Sequence, residues 1–122
     1  MREIAMEALY LPLGLFAVAA VIGVYMASRV FGGNMAPWAA GVIHALLAAS
    51  GLVLLLLAYL NGGLAQTGLI ALVVLVVAAL GGFFLGSFHL RKQVAPKPVV
   101  VIHALAAVAG FLLLAAATFG LA

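Results

Sequence analysis

The chain has 122 residues, of which 70% are hydrophobic and only 6% charged. A soluble domain dresses its surface with roughly 25% charged residues, so here the apolar surface must face lipid. The length fits one domain. Cysteine is absent, which excludes disulfides, iron–sulfur ligation and covalent c-type haem attachment. The two acids, Glu3 and Glu7, stand at the amino end. A carboxylate-bridged di-iron site is thereby excluded. A pump or ion-coupled transporter is disfavoured, because intramembrane relays usually rest on Asp or Glu.

Hydrocarbon about 30 Å thick requires about 20 apolar residues per helix, and the sequence contains four such runs. The stretch from Met1 to Glu7 lacks a basic n-region and does not read as a secretory signal. The first helix is expected from about Glu7 to Phe31, stopped by Gly32, Gly33 and Asn34. The second starts near Pro37, at the first-turn position proline favours, and runs to Asn61-Gly62-Gly63. The third spans Thr67 to Leu90, and the fourth follows Pro96-Lys97-Pro98 and reaches the carboxyl end. The short connections imply antiparallel neighbours in a bundle.

The basic residues are Arg2, Arg29, Arg91, Lys92 and Lys97, and four of these lie at the first and third connections. The connection from Asn61 to Thr67 has none. By the positive-inside rule the first and third connections are cytoplasmic and both termini lie outside; the inverted orientation is the alternative. The expected location is the plasma (inner) membrane of a bacterium or archaeon.

A shift of 59 residues aligns the two halves, about 7–63 and 66–122, without a gap. Ala36-Pro37 falls on Ala95-Pro96, and Val42-Ile43-His44-Ala45-Leu46 falls on Val101-Ile102-His103-Ala104-Leu105. Downstream, Ala48, Gly51, Leu54, Leu55 and Ala58 meet Ala107, Gly110, Leu113, Leu114 and Ala117. The first and third helices match more weakly, through Val18-Ala19-Ala20, Gly23 and Ser28 against Val77-Ala78-Ala79, Gly82 and Ser87. A tandem two-helix repeat keeps its topology, so its copies are related by an axis along the membrane normal. The expected fold class is an all-α membrane protein, a four-transmembrane-helix bundle of two tandem hairpins. His44 and His103 then sit at equal depth and, if inward, opposite each other.

Ala48 and Gly51 follow His44 by four and seven residues, as Ala107 and Gly110 follow His103. These positions share a helix face. That face serves either close helix approach through small residues or room for a flat macrocycle. The histidines in turn are either interhelical hydrogen-bond glue, worth about 0.6 kcal/mol each, or ligands. Neutral imidazole is a good axial ligand for haem iron, and a bundle core commonly houses cofactors. A haem b held by His44 and His103 takes one ligand from each half, with its propionates toward Arg29, Arg91, Lys92 and Lys97. The same basic cluster is also explained by topology alone. His89, in Ser87-Phe88-His89-Leu90-Arg91-Lys92, falls on Val30 and breaks the repeat. It is an alternative ligand, a propionate partner, part of a quinone pocket with Arg91, or an interfacial histidine among headgroups. Trp38 and Tyr10 read as interfacial belt residues; Tyr25, Phe83 and Phe84 either wall a cofactor or simply pack.

Four apolar helices with a paired intramembrane histidine resemble the small four-helix b-type membrane cytochromes, including quinone-linked haem anchors of respiratory complexes. The resemblance covers the whole chain. It implies one bis-histidine haem b and electron transfer with quinone or a partner subunit. Two bis-histidine haems need four helix-borne histidines, and the chain has three. Two further functions fit the residues: a non-catalytic accessory subunit of a larger membrane complex or homo-oligomer, and copper or zinc handling by His44, His89 and His103. An independent enzyme is disfavoured, for there is no nucleophile–base pair and no phosphate loop. Five scattered basic residues form no nucleic-acid footprint.

Overall fold

The computed structural model describes residues 6–121. Arg2 and Glu3 fall outside them, as does Ala122. Four helices follow one another: α1 (Tyr10–Phe31), α2 (Trp38–Leu60), α3 (Gln66–Leu90) and α4 (Lys97–Thr118). Each has 22 to 25 residues and is long and apolar enough to cross a membrane. At 1.5 Å per residue they measure about 33–38 Å, more than the roughly 30 Å of hydrocarbon. Apolar side chains cover the outside, with Val21, Val24 and Phe83 all at least 71% exposed. The chain is a four-helix membrane-spanning bundle.

The helix ends share one device. A residue with positive φ follows each of α1, α2 and α4: Gly33 at 81°, Gly62 at 73° and Gly120 at 69°. After α3 the same place is held by Lys92, at φ 56°. In every case the next residue's N–H returns to a carbonyl of the last turn, as in Asn34 to Arg29 at 3.0 Å and Gln93 to Phe88 at 2.9 Å. This left-handed cap satisfies carbonyls that the helix leaves unpaired. It also ends α4 at Thr118, short of the chain end that its apolar run suggested. At the other terminus a turn at residues 8–9 delays α1 until Tyr10. Leu9 is buried there.

The helices pack most extensively as α1 with α2 and α3 with α4; α1 with α4 and α2 with α3 pack less. The buried core lies at one end of the bundle. Leu9, Leu13 and Phe16 of the first half meet Leu55 from the far part of α2, Ala71, Leu72 and Leu75 from the start of α3, and Leu114 of α4. Positions 59 apart play the same part. Leu55 and Leu114 are both fully buried, Gly51 lies under Phe16, and Gly110 lies under Leu75. A methyl group on Gly51 falls 2.7 Å from the Phe16 ring, and one on Gly110 falls 2.7 Å from Leu75 Cγ. Of the two readings of the small-residue face, close helix approach is the one seen at Gly51 and Gly110. Gly51 and Gly110 admit a large side chain from the neighbouring helix, so their smallness is spent on packing.

Two stability changes follow. Lys92→Gly relieves a left-handed backbone and raises stability by about 1 kcal/mol. Gly51→Val overpacks the Phe16 contact and costs about 1–3 kcal/mol. Thermal unfolding in detergent, read by circular dichroism, distinguishes the two signs.

Candidate functional site

Away from the packed end the bundle opens. A cavity of about 500 Å³ extends from the α1–α2 and α3–α4 connections, at Ala36 and Ala95, inward to Leu52. This lies within the 300–1,000 Å³ common for ligand pockets. Its lining is mostly alanine, glycine and aliphatic residues, and His44, His89 and His103 all contribute to it.

The paired histidines are held identically. His44 Nδ1 donates to the carbonyl oxygen of Ala19 on α1 at 2.8 Å, and His103 Nδ1 donates to that of Ala78 on α3, also at 2.8 Å. A carbonyl only accepts, so each Nδ1 carries hydrogen and each neutral ring keeps its lone pair on Nε2. Close approach is possible because α1 and α3 place glycine beside the rings. A methyl on Gly23 falls 3.1 Å from His44 Cε1, and one on Gly82 falls 3.2 Å from His103 Cε1. Neither Nε2 has a hydrogen-bond partner. No buried side-chain nitrogen or oxygen among the described residues lacks one, so each Nε2 opens onto accessible space.

The two rings are brought together across the bundle, with centroids 6.3 Å apart and planes at 73°. Imidazole–metal bonds run about 2.0–2.1 Å, as for zinc, and the ring centre lies roughly 1 Å beyond the nitrogen, so two imidazoles on opposite sides of one metal have centres about 6 Å apart. The observed separation suits that arrangement. By contrast, α2 and α4 are not among the extensively packed helix pairs. The rings, rather than the helix backbones, approach each other.

The remaining candidate residues distribute as follows. Ala48 lines the cavity, whereas Ala107, Gly51 and Gly110 do not. His89 lines it, yet the described residues hold no group of three or more His, Cys, Asp or Glu placed to bind a metal ion. The convergence of three histidines expected for copper or zinc is therefore absent among them. Arg29, Arg91, Lys92 and Lys97 stand exposed at the open end without lining the cavity. Arg91 donates to the Ser87 carbonyl at 3.2 Å and to Ser87 Oγ at 3.1 Å, with its guanidinium 4.3 Å from the Phe88 ring centre. Lys97 Nζ lies 5.9 Å from the Phe31 ring centre. Trp38 and Phe83 line the cavity; Tyr25 and Phe84 do not. Tyr10 pairs with Phe119 at the opposite end. The residues sequence reasoning left unassigned are Ala19, Ala78, Gly23 and Gly82. Their signal was present in the weaker half of the repeat alignment.

Comparison with protein-family models, with curated proteins and with solved structures finds no match for the chain.

The tautomer is directly measurable. In ¹⁵N-histidine NMR spectra at neutral pH, His44 and His103 should show protonated Nδ1 and bare Nε2. Gly23→Val and Gly82→Val should each abolish that signature for the ring they crowd, leaving the other ring unchanged. Protonation on Nε2 in the parent protein contradicts the assignment.

Proposed function

We propose that this chain is a membrane-embedded haem b protein, in which His44 and His103 ligate one iron and electrons pass to or from quinone or a partner subunit. The observation that carries the reading is the pair of imidazoles with ring centres 6.3 Å apart, each anchored through Nδ1 with Nε2 free. Backbone carbonyls that accept from Nδ1–H fix ring orientation and raise ligand basicity in metal-bound histidines. The residues present fit the group: two imidazoles with Nε2 free, a mostly apolar cavity, and basic side chains at its open end. Haem supplies a one-electron redox centre when bound. The chain contributes the two axial nitrogens and an apolar enclosure. Arg29, Arg91, Lys92 and Lys97 provide positive charge at the open end, where they would pair with the carboxylates of a bound haem.

The same reading takes the halves, about 7–63 and 66–122, as a duplicated hairpin with a pseudo-twofold axis along the membrane normal. One ligand then comes from each copy. The basic end faces the cytoplasm by the positive-inside rule, which places both termini outside, in a bacterial or archaeal plasma membrane. A single haem near one face does not carry electrons across the bilayer, so a membrane partner or a second copy completes the path.

An accessory role in a larger membrane complex is compatible with this and has one observation in its favour. Gly14 is exposed on α1 with nothing within 4 Å of where its side chain would be, leaving room for another helix backbone.

Purified protein supplied with haem should show a Soret band and reduced-minus-oxidised α and β bands. His44→Ala and His103→Ala should each abolish the low-spin spectrum, and His89→Ala should retain it. A colourless parent protein under the same supply removes the haem reading.

A further inference from the structure

The cavity is larger than the part its duplicated residues enclose. Gly23 and Gly82, His44 and His103, and Ala45 and Ala104 line it from both halves. The lining residues without a lining counterpart fall on one flank only. They include Trp38, Ala49 and Leu52 on α2, with Ala79 and Phe83 on α3 and Gln93 just beyond it. Ala20 and Val108, which correspond to Ala79 and Ala49, do not line it. A lobe therefore leaves the histidine chamber between α2 and α3. These helices are consecutive, yet α2–α3 is the most sparsely packed of the four neighbouring pairs. Phe83 and Trp38 on this flank are 75% and 68% exposed, so the lobe opens toward lipid.

The chemistry of its walls is graded. Trp38 and Gln93 lie at the basic end, where His89, whose counterpart Val30 also lines the cavity, borders the lobe, while Ala49, Leu52 and Ala79 line the deeper part. The side-chain hydrogen bonds of the described residues involve none of these three polar groups. All three can donate. No carboxylate lines the lobe, and none of the four basic side chains does. Donors above an apolar wall, with no carboxylate beside them, suit an uncharged head bearing acceptor oxygens. An anionic headgroup is better served by the exposed Arg and Lys outside.

We infer that the α2–α3 lobe is a lateral binding site for a neutral, lipid-soluble ring compound with carbonyl acceptors, the chemical class of the quinones, entered from the bilayer and abutting the histidine chamber. This rests on the proposed electron-transfer function for its purpose and selects quinone over a protein partner, but binding itself does not require haem. His89 and Gln93 donate to the carbonyl oxygens, Phe83 and Trp38 flank the ring, and the tail leaves through the seam.

Trp38 is the single tryptophan of the chain, so its fluorescence reports on the lobe directly. Titration of the purified full-length chain in lipid nanodiscs with a short-tailed benzoquinone should give saturable quenching. Ala79→Phe and Ala49→Phe fill the lobe from opposite helices and should each abolish saturation. Ala20→Phe, at the matching place on the other flank, should leave it intact. His89→Ala should weaken binding by about 3- to 10-fold, the loss of one hydrogen bond. Linear quenching that is alike in all these proteins overturns the proposal, as does displacement of the probe by anionic phospholipid but not by a second quinone. Should one lobe-filling variant not fold, the other together with His89→Ala decides. A Soret band without saturable quenching removes the lobe and leaves the haem reading; saturable quenching in a colourless protein does the reverse.

Discussion

The site depends on one contact made twice: an imidazole N–H donated to a helix carbonyl across a glycine. Within hydrocarbon, every polar group must find its partner in protein. A histidine projecting from α2 or α4 turns to the helix it packs against most extensively, α1 or α3. The acceptors used are the main-chain carbonyls of Ala19 and Ala78, already engaged in the helix ladder, and a carbonyl oxygen has a second lone pair to offer. Reaching it brings the ring against the helix backbone, which is why Gly23 and Gly82 have no side chain there. A methyl at either place would stand 3.1–3.2 Å from a ring carbon. Close approach, tautomer and ring direction are thus consequences of a single requirement.

The bundle divides its length between two tasks. At the end holding the termini, Phe16 and Leu75 enter the spaces above Gly51 and Gly110, and fully buried Leu55 and Leu114 complete the packing. At the other end alanine and glycine leave the interior unfilled. The packed end compensates for the open one. Association of helices in lipid is driven by van der Waals contact rather than by water exclusion, so a stretch without contact contributes little to holding helices together. The pairs α1–α2 and α3–α4 pack closely, and the seams α1–α4 and α2–α3 pack less.

Much of this was legible from sequence because hydropathy and repetition are strong signals in a membrane chain. The four spans, the stop at Gly33 and the equivalence of His44 with His103 could all be read directly. The cap after α3 was not, since Lys92 stands where Gly33 stands and only its backbone shows the shared conformation. The choice between the two roles open to Gly51 and Gly110 was not legible, for a physical reason. Helical spacing tells which residues share a face, but not whether a side chain from another helix occupies the space in front of it. Phe16 and Leu75 lie more than thirty positions away, and nothing local to either glycine points to them. Likewise, the lobe between α2 and α3 arises from how sparsely those two helices pack, which a repeat alignment cannot encode because it treats both flanks alike.

The choice between structural glue and ligand turns on the second ring nitrogen. If the histidines served only to tie helices, the Nδ1 bonds would suffice, at a worth near 0.6 kcal/mol each. Each ring also carries a second nitrogen that no protein group meets, and that atom is not buried but opens onto the cavity. A serine or threonine can bond to the same kind of carbonyl, as Ser28 and Ser50 do within their own helices at 2.6 and 2.8 Å. Imidazole differs in offering a second nitrogen, and at both positions that atom opens onto the cavity. The proposed ligand pair rests on that second nitrogen, which a mere tie between helices does not use.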